Sequence, residues 1–251
     1  MVNLIQSEFS RLWKSASFKA SALVVTIMAV LGIALELINK ILVPSWYADY
    51  NNDASLFNGT MYAVIIISAF LSAFLGTEFS DGTIRNKLIA GHTHSSIYLS
   101  KLLVCSTTAI ILNLLGILLR LGLGSLFFAE RDIEASDIII YTLCGSLFLI
   151  ALSAIYMVIP MFIQSKSSGI VITMSAAFIL LIAILVISLE RMRHDYNVIY
   201  DYLYDILPTC QIYRVYTQQS SDMLLMSGYA ALVTIVFTVL GIFGFKKRDL
   251  K

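Results

Sequence analysis

Six apolar runs, each of roughly twenty residues, follow one another through this chain, and each can carry a helix across the ~30 Å hydrocarbon core of a bilayer. They are Ala20 to Val43, Thr60 to Thr77, Leu102 to Phe128, Ile138 to Ile163, Ile170 to Leu189 and Met223 to Phe245. Backbone N–H and C=O groups in lipid must be paired within the segment that carries them, so such runs read as helices. With 59% hydrophobic and only 13% charged residues, a water-soluble fold would lack the polar surface to cover its core. The expected fold class is all-α: a polytopic membrane protein with six transmembrane helices, residues 1–251 forming one transmembrane domain. The first nineteen residues mix charges with spaced apolar positions and lack the continuous core of a cleaved signal segment.

An even number of spans puts both termini on one side, and the positive-inside bias selects the cytoplasm. With the termini inside, eleven Lys and Arg residues are cytoplasmic, among them Arg11, Lys14, Lys19, Arg85, Lys87 and Lys101. Five fall outside (Lys40, Arg131, Arg191, Arg193 and Arg214), and Arg120 lies within a span. A net charge of +1 offers no basic face for nucleic acid. Three cysteines, Cys105, Cys144 and Cys210, make no disulfide framework.

Three segments between or beside the spans have structure of their own. Residues 1–19 place Val2, Ile5, Phe9, Leu12, Trp13 and Ala16 at helical spacing, with Gln6, Ser7, Glu8, Arg11 and Lys14 on the other face. This predicts an interfacial helix with its rings toward acyl chains and its basic residues toward anionic lipid. The loop 78–101 predicts a short helix capped by Ser80 or Asp81, carrying Ile84 and Leu88 on one face and stopped at Gly91, then a second helix from Ser95 or Ser96. The outer segment 190–222 is rich in Tyr, from Tyr196 to Tyr216. It aligns Ile199, Leu203 and Ile206 on one face and is interrupted by Pro208, the pattern of a re-entrant or interfacial helical pair.

Chemistry-bearing motifs are few. There is no phosphate-cradling G-x-x-x-x-G-K-[ST] loop, no nucleophile elbow, and no ligand spacing around His92 and His94, so no catalytic or metal site is expected. Ionisable groups inside spans are costly and mark either a packed pair or an aqueous path. Glu36 and Lys40 lie one helical turn apart near the outer end of the first span. At 1.5 Å per residue, Glu36 sits about 24 Å along the first run and Arg120 about 27 Å along the third. A contact between Glu36 and Arg120 is therefore expected, with Asn113 on the Arg120 face, as a packed polar pair or as the lining of a transport path.

The residues from Glu78 to Lys87 (E-F-S-D-G-T-I-R-N-K), followed by Ser100 and Lys101, resemble the E-F-x-x-G-T-[IL]-x-x-K segment of bacterial ABC-2 type permeases. The ending from Gly244 to Leu250 is similar to that family's F-x-x-[KR]-[DE]-[LI] terminus, and the order of elements matches along the chain. The resemblance implies a non-enzymatic, membrane-spanning permease subunit in the inner (cytoplasmic) membrane, usually of an exporter. It implies pairing with a second permease subunit, alike or unlike, and with two copies of a separate ATPase subunit that bind ATP and Mg, so this chain holds no cofactor. The loop after the second span is then the coupling segment, with Glu78, Asp81, Ile84, Arg85 and Lys87 as candidates for ATPase contact. Acidic outer residues such as Asp49, Asp53, Glu130, Asp132, Asp201 and Asp205 favour a cationic peptide or drug as cargo; it is the family resemblance alone that implies an antimicrobial peptide and a self-protection role. An ion-coupled carrier or channel would need relays at several depths, for which Glu36 alone is poor. A membrane sensor or immunity protein that binds ligand without transport would have no use for the coupling loop.

Overall fold

The computed structural model describes residues 2–42, 55–128, 133–193, 198–218 and 222–247. Among them ten helices and no strand run in the order α1 (Val2–Lys14), α2 (Ala16–Leu42), α3 (Asn58–Ser80), α4 (Thr83–Ile89), α5 (His94–Phe127), α6 (Ala135–Ile163), α7 (Lys166–Arg193), α8 (Val198–Ile206), α9 (Pro208–Tyr216) and α10 (Met223–Lys246). Six of these, α2, α3, α5, α6, α7 and α10, are long and apolar enough to cross a membrane. The chain is an all-α polytopic membrane protein. Asp49, Asp53, Glu130, Asp132 and Tyr196, read above as outer residues, lie outside the described residues.

Several spans outrun the apolar stretches that announce them. The 34 residues of α5 extend about 51 Å at 1.5 Å per residue, well beyond the hydrocarbon core. Its start is set by Thr93, whose hydroxyl accepts from the Ser96 N–H at 3.2 Å, rather than by Ser95 or Ser96 themselves. The short helix α4 begins at Gly82 with φ 65°, a left-handed conformation that glycine adopts without a Cβ penalty. Ser80 and Asp81, the expected caps, instead end α3: the Ser80 hydroxyl donates back to the Thr77 carbonyl at 2.9 Å, and Asp81 is the C-cap. At the other junction the Ser15 hydroxyl accepts from the Phe18 N–H at 3.2 Å and so caps α2.

The spans form an inner set (α3, α5, α6), at least half buried, and an outer set (α2, α7, α10), only 22% buried along their apolar stretches. Helix α3 packs on α2, α5, α6, α7 and α9, and α6 on α3, α5, α9 and α10. Small residues allow the close approaches, as expected where lipid is as apolar as any side chain and packing must hold the helices together. A Cβ on Gly76 would lie 2.9 Å from the Lys166 Cα, one on Gly241 would overlap the Tyr98 hydroxyl, and one on Gly244 would overlap the Phe162 ring. On α2 only Ser21, Val25, Ala29 and Ile33, one residue per turn, are buried.

The pair before the last span divides its roles. Helix α9, with Pro208 at its first turn, is buried through Thr209, Cys210, Gln211 and Ile212 and packs on α3, α6 and α7, so it re-enters the bundle. Helix α8 keeps Ile199, Tyr202, Leu203 and Ile206 exposed, the apolar face of an interfacial helix. The Arg214 guanidinium joins the two, donating to Asp205 at 2.9 Å and lying 4.9 Å from the Tyr204 ring centre.

Candidate functional site

At the end of the bundle where α1, α4 and the last residues of α10 lie, five charged side chains from four helices converge. Glu8 and Arg11 come from α1, Glu78 from the last turn of α3, Lys87 from α4 and Lys101 from the second turn of α5. Lys101 bridges Glu8 and Glu78, and Lys87 bridges the same two carboxylates, its contact with Glu78 measuring 3.0 Å. Arg11 ion-pairs with Glu78, donates to Thr77 Oγ1 at 2.8 Å and to the Phe74 carbonyl at 3.2 Å, and lies 4.7 Å over the Phe74 ring. Glu8, Glu78 and Lys101 are at most 1% exposed.

Buried charges are costly unless each has partners, and here every carboxylate has at least two cations. Burial draws the Arg11 guanidinium below its ordinary value, while the negative charges of Glu8 and Asp81 pull it back up. This overturns one expectation about α1. Its buried stripe is Leu4, Glu8 and Leu12, so Glu8 faces the protein and Arg11 is half-buried beside it, while Trp13 and Val2 stay exposed. The network supplies Glu8 with two ammonium groups that a headgroup layer would not hold in place.

The five coupling candidates fall on two sides of this cluster. Glu78 and Ile84 are buried and Lys87 is largely so, and all three face inward. Asp81 and Arg85 are exposed, and Asn86 and Ile89 with them; Ile89, 75% exposed, is a large apolar residue left in solvent at the tip of α4. Between α1 and α4 runs an open cleft of about 350 Å³ lined by Asn3, Ser7, Thr83, Asn86, Lys87 and His92. Sequence reasoning missed Glu8, Arg11 and Lys101 as members of the site. The available signal was Lys101 itself, which sits directly against an apolar run and so has to find a carboxylate inside the protein.

The second polar group lies toward the other end of the bundle. Arg120 Nη1 donates to Glu36 Oε1 at 3.0 Å, and the Ser55 hydroxyl donates to Glu36 Oε2 at 3.1 Å. Glu36 thus turns to α5 rather than to Lys40 on its own helix, and the Lys40 ammonium lies 5.6 Å over the Phe128 ring. Asn113, two turns before Arg120, accepts from the Thr60 hydroxyl at 2.8 Å; its amide nitrogen has no partner among the described residues. Arg120, Asn113 and Thr60 are all at most 1% exposed, so the polar atoms of α3 and α5 meet each other inside the bundle. No group of three or more His, Cys, Asp and Glu residues is arranged to hold a metal among the described residues.

The model of a family described as ABC-2 family transporter protein fits residues 4–184, which contain every residue of both polar groups. No curated protein matches the chain.

Proposed function

Because the chain belongs to the ABC-2 transporter family, we propose that it is the membrane-spanning subunit of an ABC exporter in the inner membrane, its termini cytoplasmic, driven by two copies of a separate ATPase that bind ATP and Mg. A second permease subunit completes the translocation path, and the acidic outer loops favour a cationic peptide or drug as cargo. The observation that carries this reading is the mounting of α4. A seven-residue helix with exposed Arg85, Asn86 and Ile89, following exposed Asp81 at the end of α3, is fixed through Lys87 to carboxylates of α1 and α3, which Lys101 ties to α5. A short helix held this way passes a push from a partner to two spans at once, because a packed, paired interface moves as a body. Glu36, Asn113 and Arg120 belong to the part of the permease that such a push would rearrange.

The test is co-expression with the candidate ATPase and assay of ATP hydrolysis in lipid nanodiscs. Arg85→Glu with Ile89→Asp alters only the exposed side of α4 and is expected to abolish association with the ATPase while the permease keeps its unfolding temperature. If the complex forms and hydrolyses ATP unchanged with both substitutions, α4 is not the coupling element.

A further inference from the structure

Glu36 and Arg120 lie within spanning helices, where an ion pair is either a fixed structural joint or a joint that opens. The seat of the arginine bears on the choice. A Cβ placed on Gly32 would overlap Arg120 Nη2 and lie 3.2 Å from its Cζ, so the guanidinium rests directly on the backbone of α2 one turn before Glu36. A second close approach lies just inward. Gly116 of α5 and Gly59 of α3 come within 3.7 Å of each other's Cβ positions, and Val25 of α2 closes on Gly116 at 3.5 Å. Three helices therefore converge at glycines around one arginine, leaving beside it a void of about 10 Å³, room for no more than one water.

We infer that Gly32 is the positioning residue of Arg120, and that Gly32, Glu36 and Arg120 form a clasp holding the outer end of the first span against the third. The inference rests on the transporter reading for its purpose, since a path between α2 and the inner helices must release this contact to open. Its geometry stands independently. Helix α2 buries only four residues along its length, and the pair is its one ionic contact to α5 among the described residues. A methyl group at position 32 displaces the far end of a flexible side chain rather than backbone, so the helices need not move apart. What is lost is the placement of Nη1 on Glu36 Oε1.

The experiment needs only this chain in nanodiscs. Hydrogen exchange is followed over residues 33–42 and 116–124 in the native protein, Gly32→Ala, Arg120→Lys and the double variant, with thermal unfolding alongside. Gly32→Ala is expected to speed exchange at the outer end of α2 about tenfold with little change in unfolding temperature. Arg120→Lys, whose single ammonium has no second nitrogen to seat on position 32, is expected to remove most of that effect, so that the double variant exchanges like Arg120→Lys alone. Equal effects of Gly32→Ala with Arg or Lys at position 120 would overturn the inference, as would no effect at all. In the ATPase complex, the same variants are then expected to raise hydrolysis in the absence of cargo. Altered exchange with unaltered hydrolysis would leave the positioning role of Gly32 standing and overturn the gating role.

Discussion

Replacing Glu78 by Gln keeps the shape of the side chain and removes one charge from the cluster beneath α4. Three cations (Arg11, Lys87, Lys101) share two carboxylates (Glu8, Glu78), so the buried charge among these five is +1. Glu78→Gln raises it to +2 and leaves three cations to one acid. Lys101→Met lowers it to zero, and Glu8 keeps Lys87 while Glu78 keeps Arg11 and Lys87. Removing one partner from a buried pair costs about 3–5 kcal/mol because the other charge stays desolvated. Glu78→Gln is therefore expected to destabilise by an amount in that range. Lys101→Met should cost roughly half as much, about the ~1.5–3 kcal/mol of hydrogen bonds to charged groups. The double variant should be no less stable than Glu78→Gln alone, since the methionine removes one of the two ammonium groups left to share Glu8; a coupling of about 2 kcal/mol is the scale for neighbours in one network. Reversible unfolding in mixed micelles, followed by far-UV circular dichroism, measures all three. Equal costs for the two single variants, or costs that simply add, would refute the charge-balance reasoning and leave packing as the dominant contribution of these side chains.

Three further outcomes follow from the packing. Thr60→Val strips Asn113 Oδ1 of its donor in a buried site and should cost about 1–2 kcal/mol, with Thr60→Ser close to native in the same micelle titration. Gly76→Val places atoms against the Lys166 backbone and should lower the unfolding temperature markedly, a loss of about 1–3 kcal/mol, whereas Gly122→Ala meets open space and should be neutral or slightly stabilising. With Trp46 replaced by Phe, the fluorescence of exposed Trp13 should be quenched by lipids brominated near the headgroup; an unquenched signal would remove α1 from the membrane interface.

Legible in the amino-acid order are the membrane and the six spans, but not the caps at Gly82 and Thr93. Hydrocarbon admits only helices long enough to cross it, so the run from Ile138 to Ile163, found as the helix Ala135–Ile163, announces itself by length and composition alone. Depth was legible for the same reason: a fixed rise per residue put Glu36 and Arg120 at one level before any packing was known. Facing was not. On α2 the buried Val25 and Ile33 and the exposed Val24 and Leu31 are the same kinds of residue, because lipid and protein interior are equally apolar and no periodicity separates them. The same ambiguity misdirected α1, where the pattern for water on one side and lipid on the other turned Glu8 outward. Only the tertiary structure, by bringing Lys87 and Lys101 to that carboxylate from positions 79 and 93 residues away, made the interior the better place for its charge.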